Sequence, residues 1–191
     1  MLKYWLTAIL AVLFLASCGG GTEGDSKTST NEGSMISHTA LNNAVGKDVA
    51  LLWNDYLRLR DALVQANEND AGKWALAINL AAQNFPSDSL DAEAKLRWAR
   101  QQKDIEKDAL AITTSGIEGQ RAAFESLSKT MYQLITELGL PAGTYVYQQH
   151  CPMAFDNRGA WWLSEQPDIV NPYFGDKMLN CGVVKESLEF K

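Results

Sequence analysis

Two short stretches of this chain gather its most distinctive chemistry. His150-Cys151-Pro152-Met153 and Met178-Leu179-Asn180-Cys181 hold two of the three cysteines and two of the five methionines. Thiolate and thioether sulfurs are soft donors, and with an imidazole beside them they suit Cu(I) or Ag(I) better than Zn(II), Mg(II) or Ca(II). Cys151 and Met153 are two positions apart, on the same side of an extended strand, whereas Met178 and Cys181 have a turn-like spacing. If the two stretches meet, the candidate ligands are His150, Cys151, Met153, Met178 and Cys181. The same cysteines admit a second chemistry. A Cys151–Cys181 disulfide would close the terminal loop and stabilise the fold by roughly 3 kcal/mol in the chain-entropy account. Catalysis is not expected. His150 and Cys151 are adjacent, so on a strand they point to opposite faces and do not form a nucleophile–base pair. No Ser-His-acid set or phosphate-cradling glycine loop accompanies them.

Which chemistry applies depends on the compartment, and the N-terminus speaks to that. Lys3 precedes an apolar run from Leu6 to Leu15, then Ala16 and Ser17. A run this short is an export signal rather than a membrane span, which needs about 20 apolar residues. Leu15-Ala16-Ser17-Cys18 resembles the bacterial lipobox, which implies cleavage after residue 17 and lipid on Cys18. The expected organisation is a signal peptide over 1–17, a flexible tether over 18–40 and one domain over 41–191. The tether is Gly, Ser, Thr, Asn and Glu, too polar to offset its ordering entropy. Its terminal His38 has no ligand-spaced neighbour and is read as a solvated residue.

Lipidation of Cys18 uses one thiol of three and leaves a matched pair in an oxidising compartment, the cell envelope, facing the periplasm or the cell surface. With Lys3 gone, 16 basic side chains stand against 23 acidic ones, a balance of −7. That acidity argues against nucleic acid, whose affinity rests on Lys and Arg replacing counterions. It also leaves the lipid alone to hold the chain at a membrane.

Residues 41–138 must supply the scaffold. Val45, Val49, Leu52, Tyr56, Leu59 and Leu63 repeat at three and four, and Trp74, Ile78, Ala81 and Phe85 repeat the spacing until Pro86. Trp98, Ile105, Ala109 and Ile112 mark a third helix over about 91–114. Phe124, Leu127, Met131, Leu134 and Leu138 mark a fourth, ended by Gly139 and Pro141. Ser87-Asp88-Ser89 is expected to cap the third helix, and Ser115 with Glu118 has capping-box spacing for the fourth. The fold expected is mainly α, an up-down four-helix bundle with a short C-terminal β-hairpin and loop at about 144–185 that carries the Cys/Met motif. One strand would end at Cys151 and the return strand, Leu179–Val184, would carry Cys181. The bundle contains no inward His or Glu-x-x-His pair, and Met131 is read as packing.

The run Cys151-Pro152-Met153-Ala154-Phe155 through Gly159, Trp162-Leu163-Ser164, Ile169, Asn171-Pro172-Tyr173-Phe174-Gly175, Lys177-Met178-Leu179 and Cys181-Gly182 resembles the signature of an uncharacterised family. These are bacterial periplasmic helical domains found as free lipoproteins and fused to adaptor subunits of copper and silver efflux pumps. The resemblance implies an efflux adaptor as partner, without implying an established activity. Cys-Pro-Met also resembles short heavy-metal-binding domains in which His follows; here Ala154 follows and His150 precedes.

Overall fold

The computed structural model describes residues 35–40 and 44–191. Cys18, the 1–17 signal and the tether up to residue 34 lie outside the described residues. The fold is mainly helical, with four long helices and a small C-terminal sheet. The helices are α1 (Ala44–Val64), α2 (Glu68–Gln83), α3 (Ala92–Thr114) and α4 (Ile117–Leu138), each packed on the next and α4 also on α1. Among the described residues no helix is long and apolar enough to cross a membrane.

The stripes behave as their spacing requires. Val45, Val49, Leu52, Tyr56, Leu59 and Leu63 are all buried, as are Trp98, Ile105, Ala109, Ile112, Phe124, Leu127, Met131 and Leu134. Each apolar side chain so buried contributes roughly 1.5–3 kcal/mol relative to exposure. Phe85, at the end of the α2 stripe, stacks on Trp98 of α3 with centroids 4.0 Å apart. Trp74 sits at the margin of the core, with the Arg58 guanidinium 4.7 Å above its ring.

Helix starts differ from expectation. Asn67-Glu68-Asn69-Asp70, a polar run that reads in sequence as a break between helices, is the beginning of α2, because the Asn67 side chain accepts from Asp70 N and the acidic first turn suits the helix dipole. Asp91 caps α3 through bonds from Glu93 N and Ala94 N, both 2.9 Å, while Ser87–Ser89 forms a separate 3-10 turn. The capping box at Ser115 does not form. Gly116 is the N-cap of α4, and Glu68 of α2 reaches across to accept from Ile117 N at 3.0 Å.

The C-terminal region is larger than a hairpin. Strands β1 (Met35–His38), β2 (Tyr145–Cys151), β3 (Ala160–Ser164) and β4 (Val183–Phe190) form one sheet in the order β1-β4-β2-β3. β2 runs antiparallel to β3 and β4, and β1 runs parallel to β4. β2 ends at Cys151 as expected. The return strand starts only at Val183, so Cys181 lies before it, in a turn closed by Cys181 N donating to Met178 O at 3.1 Å. Lys185, Glu186 and Glu189 hid this strand, whose inward residues are Leu188 and Phe190. Residues 35–38, assigned above to the tether, pair with β4, and His38 is tilted against Phe190 with centroids 5.4 Å apart.

β3 is the sheet edge that meets the helices, and two tyrosines satisfy its outward backbone. The Tyr173 hydroxyl donates to Trp161 O, and Leu163 N donates to the Tyr56 hydroxyl at 2.9 Å. Tyr56 is fully buried and also bonds Ser128 Oγ at 2.8 Å; Ser128 Oγ in turn donates to Phe124 O at 2.8 Å. A directed relay thus joins β3, α1 and α4. Tyr56→Phe strands the Leu163 N–H and is expected to cost about 1–3 kcal/mol. Urea unfolding should show the lower midpoint with an unchanged helical circular dichroism spectrum.

Candidate functional site

The site assembles at the end of β2. A register shift between Gln148 and Gln149 resets the strand so that Gln149 and Cys151 both turn inward. Gln149 is fully buried, and its Nε2 donates to the carbonyls of Gln166, Pro167 and Asp168 at 3.0, 3.2 and 3.1 Å. That amide ties the segment after β3 back onto the sheet.

The segment then turns across the helices, where Arg121 holds it. Arg121 is buried on α4, three residues before Phe124, and donates from Nε to Pro172 O at 2.9 Å and from Nη2 to Leu63 O at 3.2 Å. Gly175, at φ 55°, sits so close to the end of α1 that a Cβ there would lie 2.6 Å from Val64 O. Tyr173 packs between Phe124, Phe155 and Trp162, with centroids 6.0, 5.4 and 5.9 Å away.

Asn171 converts this anchored turn into a holder for Cys181. Fully buried, it accepts at Oδ1 from Tyr173 N (2.8 Å) and Phe174 N (3.3 Å). Its Nδ2 donates to Cys181 O at 2.7 Å, and its backbone N donates to Leu179 O at 2.8 Å. Gly182 follows, seated against Trp162 where a Cβ would lie 2.8 Å from the ring.

The result is two sulfurs in contact. Cys151 Sγ and Cys181 Sγ are 2.7 Å apart, Cys151 fully buried and Cys181 partly exposed. Burial first, then the neighbouring Cys151, pushes the Cys181 thiol up to about 11, against the opposing effect of the Met153 backbone N–H on its sulfur. The separation exceeds the roughly 2.05 Å of a disulfide bond. It is well short of the ~3.8 Å between two thiolates on a tetrahedral ion with metal–sulfur bonds near 2.3 Å.

The other sequence candidates are placed differently. Met153 is 49% exposed beside the pair. Met178 is half-buried, and its carbonyl accepts from Cys181 N. His150 stands on the opposite face of β2 from Cys151, over Gly159 and tilted against Trp161 at 4.4 Å between centroids. Burial and then Lys185 depress its basicity. Among the described residues no cluster of three His, Cys, Asp or Glu side chains has metal-holding geometry. Between Met153 and Arg158, Phe155, Asp156 and Asn157 all adopt positive φ, a tight left-handed turn that returns the chain to β3.

Sequence reasoning passed over Asn171 and Arg121. Arg121 left a signal, because it continues the α4 stripe one step before Phe124, where a charge is out of place unless its donors are used. Asn171 entered only within the run Asn171-Pro172-Tyr173-Phe174-Gly175 of the resemblance, with no role attached.

Fold and site together define a mainly helical module whose terminal sheet and loop present a dithiol. Residues 52–143 match the model of the family described as a protein of unknown function, DUF3347. The matched span covers most of α1 and all of α2–α4 and ends before Cys151. No curated protein and no solved structure matches the chain.

Two outcomes follow from this geometry. Asn171→Ala removes three side-chain hydrogen bonds around Cys181 and is expected to cost roughly 1–3 kcal/mol; it should also slow air oxidation of the Cys151–Cys181 pair, followed by thiol titration over time. His150, depressed below 6.5 in the fold, binds its proton more weakly there than in the unfolded chain. Its contribution to stability is therefore full above pH 6.5 and declines as pH falls below it. Urea midpoints measured between about pH 5.5 and 7.5 should show that slope, and His150→Gln should flatten it.

Proposed function

We propose that this chain is a non-enzymatic, lipid-anchored module of the cell envelope whose Cys151–Cys181 pair, when reduced, binds a soft monovalent cation, Cu(I) or Ag(I). The observation that carries the reading is the meeting of two cysteines 30 residues apart at 2.7 Å, with an exposed methionine, Met153, beside them. Soft sulfur donors select d¹⁰ monovalent ions over harder cations. Met178 completes the donor set in this reading. His150 drops out as a ligand, because its ring lies on the other face of the strand.

The helices, as an up-down bundle, serve as scaffold. Cys18 carries the lipid, residues beyond it tether the domain, and an efflux adaptor is the partner that the sequence resemblance implies, for buffering or handover of the ion.

The sulfur separation favours a second reading of the same pair, a disulfide that staples the 152–180 loop. Chelation requires the sulfurs to part by about 1 Å, whereas bond formation requires them to close by less. The two readings describe opposite redox states, so oxidation abolishes metal uptake.

Cu(I) titrated into the reduced domain, in competition with a chromophoric Cu(I) chelator, should give one ion per chain. Cys151→Ser and Cys181→Ser should each weaken binding by more than the roughly 10–100-fold that loss of a supporting group costs a metal site. Met153→Leu and Met178→Leu should weaken it less, and the air-oxidised domain should not bind. Unchanged affinity in both serine variants overturns the metal reading, and two free thiols in protein purified without reductant overturn the staple.

A further inference from the structure

We propose that Cys181 is the sulfur at which an external aliphatic thiol enters the Cys151–Cys181 pair, and that it carries the transient mixed disulfide. The inference rests on the reading of the two cysteines as a pair that closes and opens.

The argument is one of approach direction. A thiolate displaces a disulfide sulfur by attacking in line with the bond, from the side opposite the leaving sulfur. Attack on Cys151 would come from the side away from Cys181. There Cys151 belongs to the hydrophobic core and has no solvent exposure. Attack on Cys181 comes from the side away from Cys151, and Cys181 is partly exposed. Both sulfurs are in contact, but only one belongs to a residue that reaches solvent.

The surroundings of Cys181 fit that role. Met153 is 49% exposed and its backbone N–H reaches the Cys181 sulfur. Val183 (40% exposed) follows Gly182, and Val170 (37% exposed) precedes Asn171, whose side chain holds the Cys181 carbonyl. These three exposed apolar residues, neighbours in the chain of Cys151, Asn171 and Cys181, carry no charge to repel or bind an incoming thiolate. Asn171 keeps the Cys181 backbone fixed while its sulfur changes partner.

The step balances as follows. The external thiolate bonds to Cys181 Sγ; the electron pair of the Cys151–Cys181 bond leaves on Cys151 Sγ, which takes the proton that the external thiol gave up. A second external thiol then attacks the outer sulfur of the adduct and releases Cys181 as a thiol. One protein disulfide and two external thiols become one protein dithiol and one external disulfide. The reverse sequence closes the pair.

The single-thiol variants Cys151→Ser and Cys181→Ser of the full domain, each compared with the parent for its urea midpoint, are treated with glutathione disulfide. The adduct is followed by intact mass. Cys181 in Cys151→Ser should form it at least about tenfold faster than Cys151 in Cys181→Ser, since exchange rates follow thiol access. In the parent protein, air-oxidised and then reduced with glutathione and quenched in acid, peptide mapping should place the trapped glutathione on Cys181. Equal rates in the variants, or an adduct mapped to Cys151, overturn the assignment. Failure to form any disulfide in air overturns instead the paired reading on which it rests, and the variant rates still decide the access of each thiol.

Discussion

A single buried hydroxyl joins the two halves of this fold. Tyr56 lies on the apolar face of α1, stacked between Trp53 and Phe124 with centroids 5.7 and 5.1 Å away. Its hydroxyl accepts from the backbone of β3 and pairs with Ser128, which donates to the Phe124 carbonyl of α4. Burial raises its pKa, so it stays neutral and remains a donor as well as an acceptor. Apolar packing alone would leave the helices free to slide against the sheet edge. A directed chain of hydrogen bonds in a low-dielectric interior fixes one register, because any other leaves a buried donor unpaired.

The long segment between β3 and β4 depends on that register. Apart from a 3-10 turn at Gly175–Lys177 it has no regular structure, and side chains satisfy much of its polar backbone. Gln149 supplies donors to its start, Arg121 to its middle and Asn171 to its end. Arg121 is a buried cation whose ion partner, Glu118, has a side chain 77% exposed. Two of its three hydrogen bonds go to backbone carbonyls, which makes it a fastener between α1, α4 and the loop rather than a salt bridge. Loss of a partner for such a charge costs several kcal/mol.

That fastening gives the sulfur pair its character. Cys151 is delivered by a strand and Cys181 by a turn held at its carbonyl, so the two approach at a distance set by backbone bonds and not by their own attraction. The separation lies between a covalent bond and a bridged chelate, and the side that reaches solvent is the Cys181 side. The placement of one loop in this way sets the geometry of the pair.

The four helices were legible in the sequence because apolar residues at three- and four-residue spacing have only one way to be buried together. Tyr56 and Met131 were legible for the same reason, and the end of β2 at Cys151 from the strand-forming residues before it. Caps were less so. Glu68 serves α4 from α2, a bond across 49 residues that no local spacing contains. The sheet also escaped: β1 is too short to show alternation, and Lys185, Glu186 and Glu189 break up the apolar pattern of β4. His150 was placed among the ligands by its neighbours in sequence. Strand alternation put it on the other face, where it is tilted against Trp161. What the sequence determined by itself is therefore the helical body, the sulfur-rich motif and the charge. Tertiary structure alone decided which sulfurs touch, which one faces solvent and which residues hold them. Those properties depend on contacts among Arg121, Asn171 and Tyr173 with distant backbone, and periodicity carries no information about such contacts.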